Sequence, residues 1–219
     1  MPSRKFSAET KSALAMLALA LFMGPFVFLL ASGARPDALT VFGFRASFEE
    51  TGLAWVAGIL LAAAYVWFST RIPAVRSWLV RPHGLKALAL VAAALAGTLE
   101  EIAFRKMLMD WVERSGGDAA VQVIVSGLSF GLAHIVWGGL KGNWAAAFGP
   151  VAATSVLGLG LAMVYLLGGR NLAPCIVSHF LVTALIEPGL LIAAFSGEMG
   201  YAGRARDTAS AGASLNTAE

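Results

Sequence analysis

The chain has 219 residues, of which 58% are hydrophobic and only 13% charged, with a mean hydropathy of +0.74. A soluble domain carries about 25% charged residues, so this composition excludes an ordinary soluble enzyme and describes an all-α polytopic membrane protein, one helical bundle with no room for a substantial soluble domain. The net charge of +3 and a pI near 9.3 belong with anionic lipid at the cytoplasmic face rather than with nucleic acid, and the single cysteine, Cys175, excludes an intramolecular disulfide framework.

Residues 1–12 form a polar, basic N-terminal tail with Arg4, Lys5 and Lys11. The apolar run Ala13 to Ala31 is long enough to cross roughly 30 Å of hydrocarbon. It exceeds the 7 to 15 residues of a signal-peptide core, so a retained first helix is expected in preference to a cleaved leader. Arg35 to Glu50 is a polar connection, and Leu53 to Phe68 a second span with Trp55, Tyr65 and Trp67 towards its ends. Arg71 to Lys86 is short and basic, and Pro73 and Pro82 keep it from being one regular helix. A third span runs from about Leu85 to Trp111, and a turn at Gly116-Gly117 leads to a fourth, Ala119 to Trp137. A loop at Gly138–Asn143 precedes a fifth, Trp144 to Leu167. The turn Gly168-Gly169-Arg170-Asn171 opens a sixth, Leu172 to Phe195, which Glu187-Pro188 is expected to interrupt. The tail from residue 196 has no apolar periodicity and reads as disordered.

Six spans with both termini in the cytoplasm place most of the lysine and arginine inside: Arg4, Lys5, Lys11, Arg71, Arg76, Arg81, Lys86, Lys141, Arg204 and Arg206. Only Arg35, Arg45, Arg114 and Arg170 fall outside. A multi-pass protein of the bacterial plasma membrane is the expectation, with the transmembrane bundle covering residues 13–195.

Within the spans the ionisable groups are few: Glu100, Glu101, Arg105, His134, His179 and Glu187. A charge at membrane depth costs roughly 2.5 to 3.5 kcal/mol on insertion scales, so it is kept where it is paired or functional. Glu101 and Arg105 are four apart and share a helical face as an ion pair. Glu100 lies about 100° round the helix, beside the small residues Ala96 and Gly97, with room for water or a substrate backbone. Glu187 beside Pro188 reads as a satisfied polar group at a helix break, and Lys106 as a side chain snorkelling to the interface.

Glu100, His134 and His179 come from three different helices and together contain the ingredients of a water-activating site. They suit Zn²⁺ as a His₂Glu set. Equally, no cofactor is needed if Glu100 is itself the general base and the histidines stabilise the oxyanion. Both routes hydrolyse an amide and both stay open. The span limits put Glu100 near mid-membrane and His134 nearer the cytoplasmic end, so a tilted or longer fourth span is required to bring them together.

Three ordered motifs carry a resemblance: Glu100-Glu101-Ile102-Ala103-Phe104-Arg105, Phe130-Gly131-Leu132-Ala133-His134 and His179-Phe180-Leu181-Val182-Thr183. Over about residues 85–190 they resemble the CPBP family of intramembrane proteases, the CAAX prenyl protease and bacteriocin-processing group also called the Abi family. That family has E-E-x-x-x-R, then F-x-x-x-H, then H-x-x-x-N or H-x-x-x-D. The resemblance implies an endopeptidase of the bilayer acting on a membrane-associated peptide or protein. Glu100 would activate the water with His134, His179 would hold the oxyanion or a metal, and Arg105 would position the acids. Thr183 departs from the usual amide or acid. Two further readings are a catalytically silent binding or immunity-type protein of the same fold, and a small proton-coupled transporter. The second is disfavoured by the lack of internal symmetry between halves.

Overall fold

The computed structural model describes residues 6–33, 37–136 and 144–197, and every element among them is helical. The expected inside cations Arg4, Lys5, Lys141, Arg204 and Arg206, the outside Arg35, the loop at 138–143, the Trp137 end of the fourth span and the tail from residue 198 lie outside the described residues. In chain order the elements are α1 (Ala8–Gly33), the single turn α2 (Ala38–Val41), α3 (Phe48–Ser69), α4 (Pro73–Trp78) and α5 (Gly84–Glu101). A π-helical stretch (Ile102–Met109) then carries α5 on into α6 (Asp110–Arg114). Last come α7 (Ala119–Ala133), α8 (Phe148–Leu167) and α9 (Ala173–Ser196).

Five stretches among the described residues are long and apolar enough to cross a membrane: Ala8–Gly33, Phe48–Ser69, Gly84–Arg114, Phe148–Leu167 and Ala173–Ser196. The chain is an integral membrane protein of helical-bundle class. The fourth expected span differs. Its helix, α7, stops at Ala133 after 15 residues, short of the roughly 20 that a span needs. Its start obeys local chemistry, since the Asp118 side chain caps it by accepting from the Val121 N–H at 2.9 Å.

The sixth element also corrects an expectation. Pro188 lies inside α9, which runs unbroken from Ala173 to Ser196. A proline withholds the N–H that would bond the carbonyl four residues back, here that of Ala184. Lys86, at the start of α5, fills the gap: its ammonium donates to the Ala184 carbonyl at 3.3 Å and to that of Leu185 at 2.8 Å. A cation from a neighbouring helix thus replaces the missing amide, and the helix passes through its proline.

Helix α9 is the hub, packed against α1, α3, α4, α5 and α8. The main core joins Phe130, Leu157, Leu161, Tyr165, Cys175, Ile176 and Val182, and a smaller cluster around Met16, Ala89, Ala92 and Leu191 holds α1 to α5 and α9. The tightest approach is between α7 and α8. A Cβ on Gly158 would stand 2.9 Å from the Gly127 carbonyl oxygen and 3.0 Å from the Phe130 ring. Small residues let membrane helices meet backbone to backbone, so this glycine pair sets the depth at which Phe130 enters the core. At the other end of these helices Arg170, in a left-handed conformation (φ 67°), ties Asp110 at 2.6 Å, Glu113 at 2.7 Å and Gln122 at 2.6 Å. Burial lowers the pKa of its guanidinium, but Glu113 and Asp110 outweigh this and hold it above the ordinary range. The clasp fixes the end of α6 to the α8–α9 turn.

Candidate active site

The acidic pair sits at the junction where α5 becomes π-helical, Glu101 being the last α-helical residue. Wider π turns inside an α-helix often mark functional sites. Here the stretch is held from the side, the Ser126 hydroxyl of α7 donating to the Phe104 carbonyl at 3.0 Å.

Glu101 and Arg105 are both completely buried. Their Oε2 and Nε atoms stand 3.0 Å apart, but the N–H is not aimed along that line, so the contact is ionic rather than a hydrogen bond. Arg105 also donates from its NH2 group to the Gly158 carbonyl at 3.1 Å and lies over the Phe130 ring, 4.7 Å from its centroid. The expected ion pair is present. It is not the whole role of Glu101, whose second oxygen, Oε1, accepts from His179 Nδ1 at 2.8 Å. A carboxylate only accepts, so Nδ1 carries the proton and Nε2 of the neutral ring is bare.

His179 Nε2 faces Glu100, whose Oε2 is 3.7 Å away. One imidazole therefore stands between the two acids. Gly97 lies at this contact: a Cβ there would rest in ordinary van der Waals contact with the Phe180 backbone nitrogen at 3.5 Å and the His179 side chain at 3.8 Å. The small residues beside Glu100, expected to leave room for water, in part admit the histidine. Glu100 is the more open acid, with 19% of its side chain exposed and a buried Oε2 that has no hydrogen-bond partner.

His134 follows the last residue of α7, half-buried, with Nδ1 bonded to the Phe130 carbonyl at 2.8 Å. A carbonyl oxygen also only accepts, which leaves His134 Nε2 bare in the neutral ring. Phe130 is the common neighbour of both histidines, its ring centroid 4.8 Å from that of His134 and 5.4 Å from that of His179. The gap between His134 and the acids is thus bridged by a phenyl ring, and by a fourth helix that is shorter than expected rather than longer. Thr183 lies one turn beyond His179 on α9, half-buried, and no hydrogen bond links it to either acid.

Among the described residues no three His, Cys, Asp or Glu side chains stand close enough together to hold a metal ion. The His₂Glu set of Glu100, His134 and His179 is therefore not gathered in this arrangement. Only Glu100 and His179 face one another, and both Nδ1 atoms are engaged elsewhere.

Two features escape sequence reasoning. The Phe130 ring, visible in sequence as the first residue of the second motif, packs against Arg105, Phe104, His134 and His179. Glu187 is not a satisfied group at a break. The helix continues, and its Oε2 is buried without a hydrogen-bond partner. Its i+8 spacing from His179, through Thr183 at i+4, is the signal that could have found it.

Comparison with known proteins supports the motif reading. Residues 82–185 match the family model described as Rce1-like, type II CAAX prenyl endopeptidase, and this stretch holds all three motifs. Comparison with curated proteins and with solved structures found no match. Over residues 82–185 the chain is similar to the CAAX-type (CPBP) intramembrane endopeptidase family, in agreement with its three motifs.

Proposed function

We propose that this protein hydrolyses a peptide bond of a membrane-associated peptide or protein by water that Glu100 activates. The observation that carries the reading is the division of labour between two adjacent acids. Glu101 is fully buried and committed to Arg105 and His179, whereas Glu100 keeps an unpartnered oxygen at a partly open position 3.7 Å from His179 Nε2.

In the proposed sequence a water hydrogen-bonds to Glu100 and to the bare Nε2 of His134. Glu100 takes one proton as the water oxygen bonds to the scissile carbonyl carbon, and the carbonyl oxygen becomes an oxyanion. His179, when doubly protonated beside Glu101, donates from Nε2 to that oxyanion. The C–N bond then breaks as the proton on Glu100 passes to the departing amine nitrogen. Arg105 pairs with Glu101, and Glu101 holds the His179 ring and its tautomer. The low dielectric of the site strengthens each of these charge contacts.

The test is cleavage of a membrane-associated peptide by the purified protein. Glu100→Gln and His134→Ala are each expected to abolish it without lowering the amount of folded protein. Normal cleavage by both variants would overturn the assignment. Metal analysis of the pure protein, with and without chelator in the assay, separates this glutamate route from a metal-assisted one. Loss of activity on chelation that is restored by Zn²⁺ would refute the glutamate route.

A further inference from the structure

On the outer side of the acidic helix, α1, the α2 turn and the π-helical stretch line an open groove of about 720 Å³. That is the size of a pocket for one small ligand. Leu30, Phe42, Ile102 and Met107 contribute to an almost wholly apolar wall, and Lys106 and Arg114 line the same groove. Neither cation forms an ion pair with a described residue. Asp110 also lines it, but its carboxylate is held by Arg170 at 2.6 Å and by the Tyr165 hydroxyl at 3.4 Å. The groove therefore presents two uncompensated positive charges beside apolar surface. Arg114 ends the helix and Lys106 lies eight residues before it, two turns deeper along the axis. A lysine at that depth extends its ammonium towards the interface, which brings both charges to the level of lipid headgroups.

We propose that this groove binds one anionic phospholipid of the surrounding bilayer, its phosphate between Lys106 and Arg114 and an acyl chain along Ile102 and Phe42. An acyl chain fits the apolar wall, and a phosphate supplies the anion that both cations lack. A zwitterionic lipid fits the wall but brings a cation of its own. The site lies on the outer side of the helix whose inner side carries Glu101 and Arg105, and the proposal is independent of proteolysis.

The test is native mass spectrometry of the full chain, delipidated in detergent and titrated with phosphatidylglycerol or phosphatidylcholine. At about fivefold per basic residue near a headgroup, the wild type is expected to retain phosphatidylglycerol on the order of thirtyfold more tightly. Lys106→Gln and Arg114→Gln should each remove about a fivefold share, and the double variant should bind both lipids alike. Arg76→Gln, an exposed cation outside the groove, should leave the preference unchanged. Absence of a preference in the wild type would overturn the proposal. So would its survival in the double variant, or an equal loss in Arg76→Gln, which marks general attraction to basic surface.

Discussion

Replacing Glu101 by glutamine is the sharpest probe of how the site is held. The wild-type carboxylate offers one oxygen to Arg105 Nε at 3.0 Å and the other to His179 Nδ1 at 2.8 Å, with both Glu101 and Arg105 excluded from water. A glutamine has a single acceptor oxygen. Whichever way its amide turns, an NH₂ group meets an N–H, so one favourable contact becomes donor against donor. The change also strands the Arg105 guanidinium, since its Gly158 contact is to a neutral carbonyl. Breaking a buried ion pair from one side costs about 3 to 5 kcal/mol, a large share of the roughly 5 to 15 kcal/mol that separates folded from unfolded states. At about 2 to 4 °C per kcal/mol for a chain of this size, the melting temperature in detergent should fall by roughly 6 to 20 °C. Glu100→Gln, at a partly exposed position with an unpartnered oxygen, should shift it by only a degree or two. A Glu101→Gln protein melting with the wild type, or a Glu100→Gln protein falling as far, would refute the division of roles.

Three further outcomes follow from particular contacts. Lys86→Met should cost about 1.5 to 3 kcal/mol by uncovering the Ala184 and Leu185 carbonyls, and much less in a Pro188→Ala background, where the restored amide takes over; a thermal-unfolding double-mutant cycle reads the difference. Gly158→Ala should destabilise by about 1 to 3 kcal/mol and slow cleavage, because the new methyl drives Gly127 and Phe130 away from Arg105 and His179; unchanged melting and rate would contradict the close α7–α8 approach. Thr183→Asn should raise the cleavage rate if the missing amide weakens the site, and an unchanged rate would show that this position has no part in the reaction.

Much of the site was legible because a membrane chain carries so few charges. Glu100, Glu101, Arg105 and His179 stand out against Ala, Leu and Val, and they meet in space. Helical spacing correctly paired Glu101 with Arg105, since that contact lies within one turn. The Glu101–His179 bond was not legible, because it depends on how α9 packs against α5, with the two residues 78 apart in sequence. The unbroken α9 was hidden for a related reason: the substitute for the Pro188 amide is Lys86, about a hundred residues away in sequence. The π-helical stretch follows α5 with no proline or glycine between them, so nothing in its residues announces the change of pitch. The early end of α7 was masked by apolar residues that continue beyond Ala133. Lys106, expected to snorkel, gained a partner in Arg114 only once α1 and the α2 turn lined a groove with them.

The central claim is that Glu100 reacts while Glu101 supports. Its most direct measurement is the single-turnover cleavage rate of Glu100→Gln, read in the same preparation as its melting temperature. The account predicts melting within a degree or two of the wild type and a rate reduced by at least 10². Cleavage at the wild-type rate by the folded variant would contradict it.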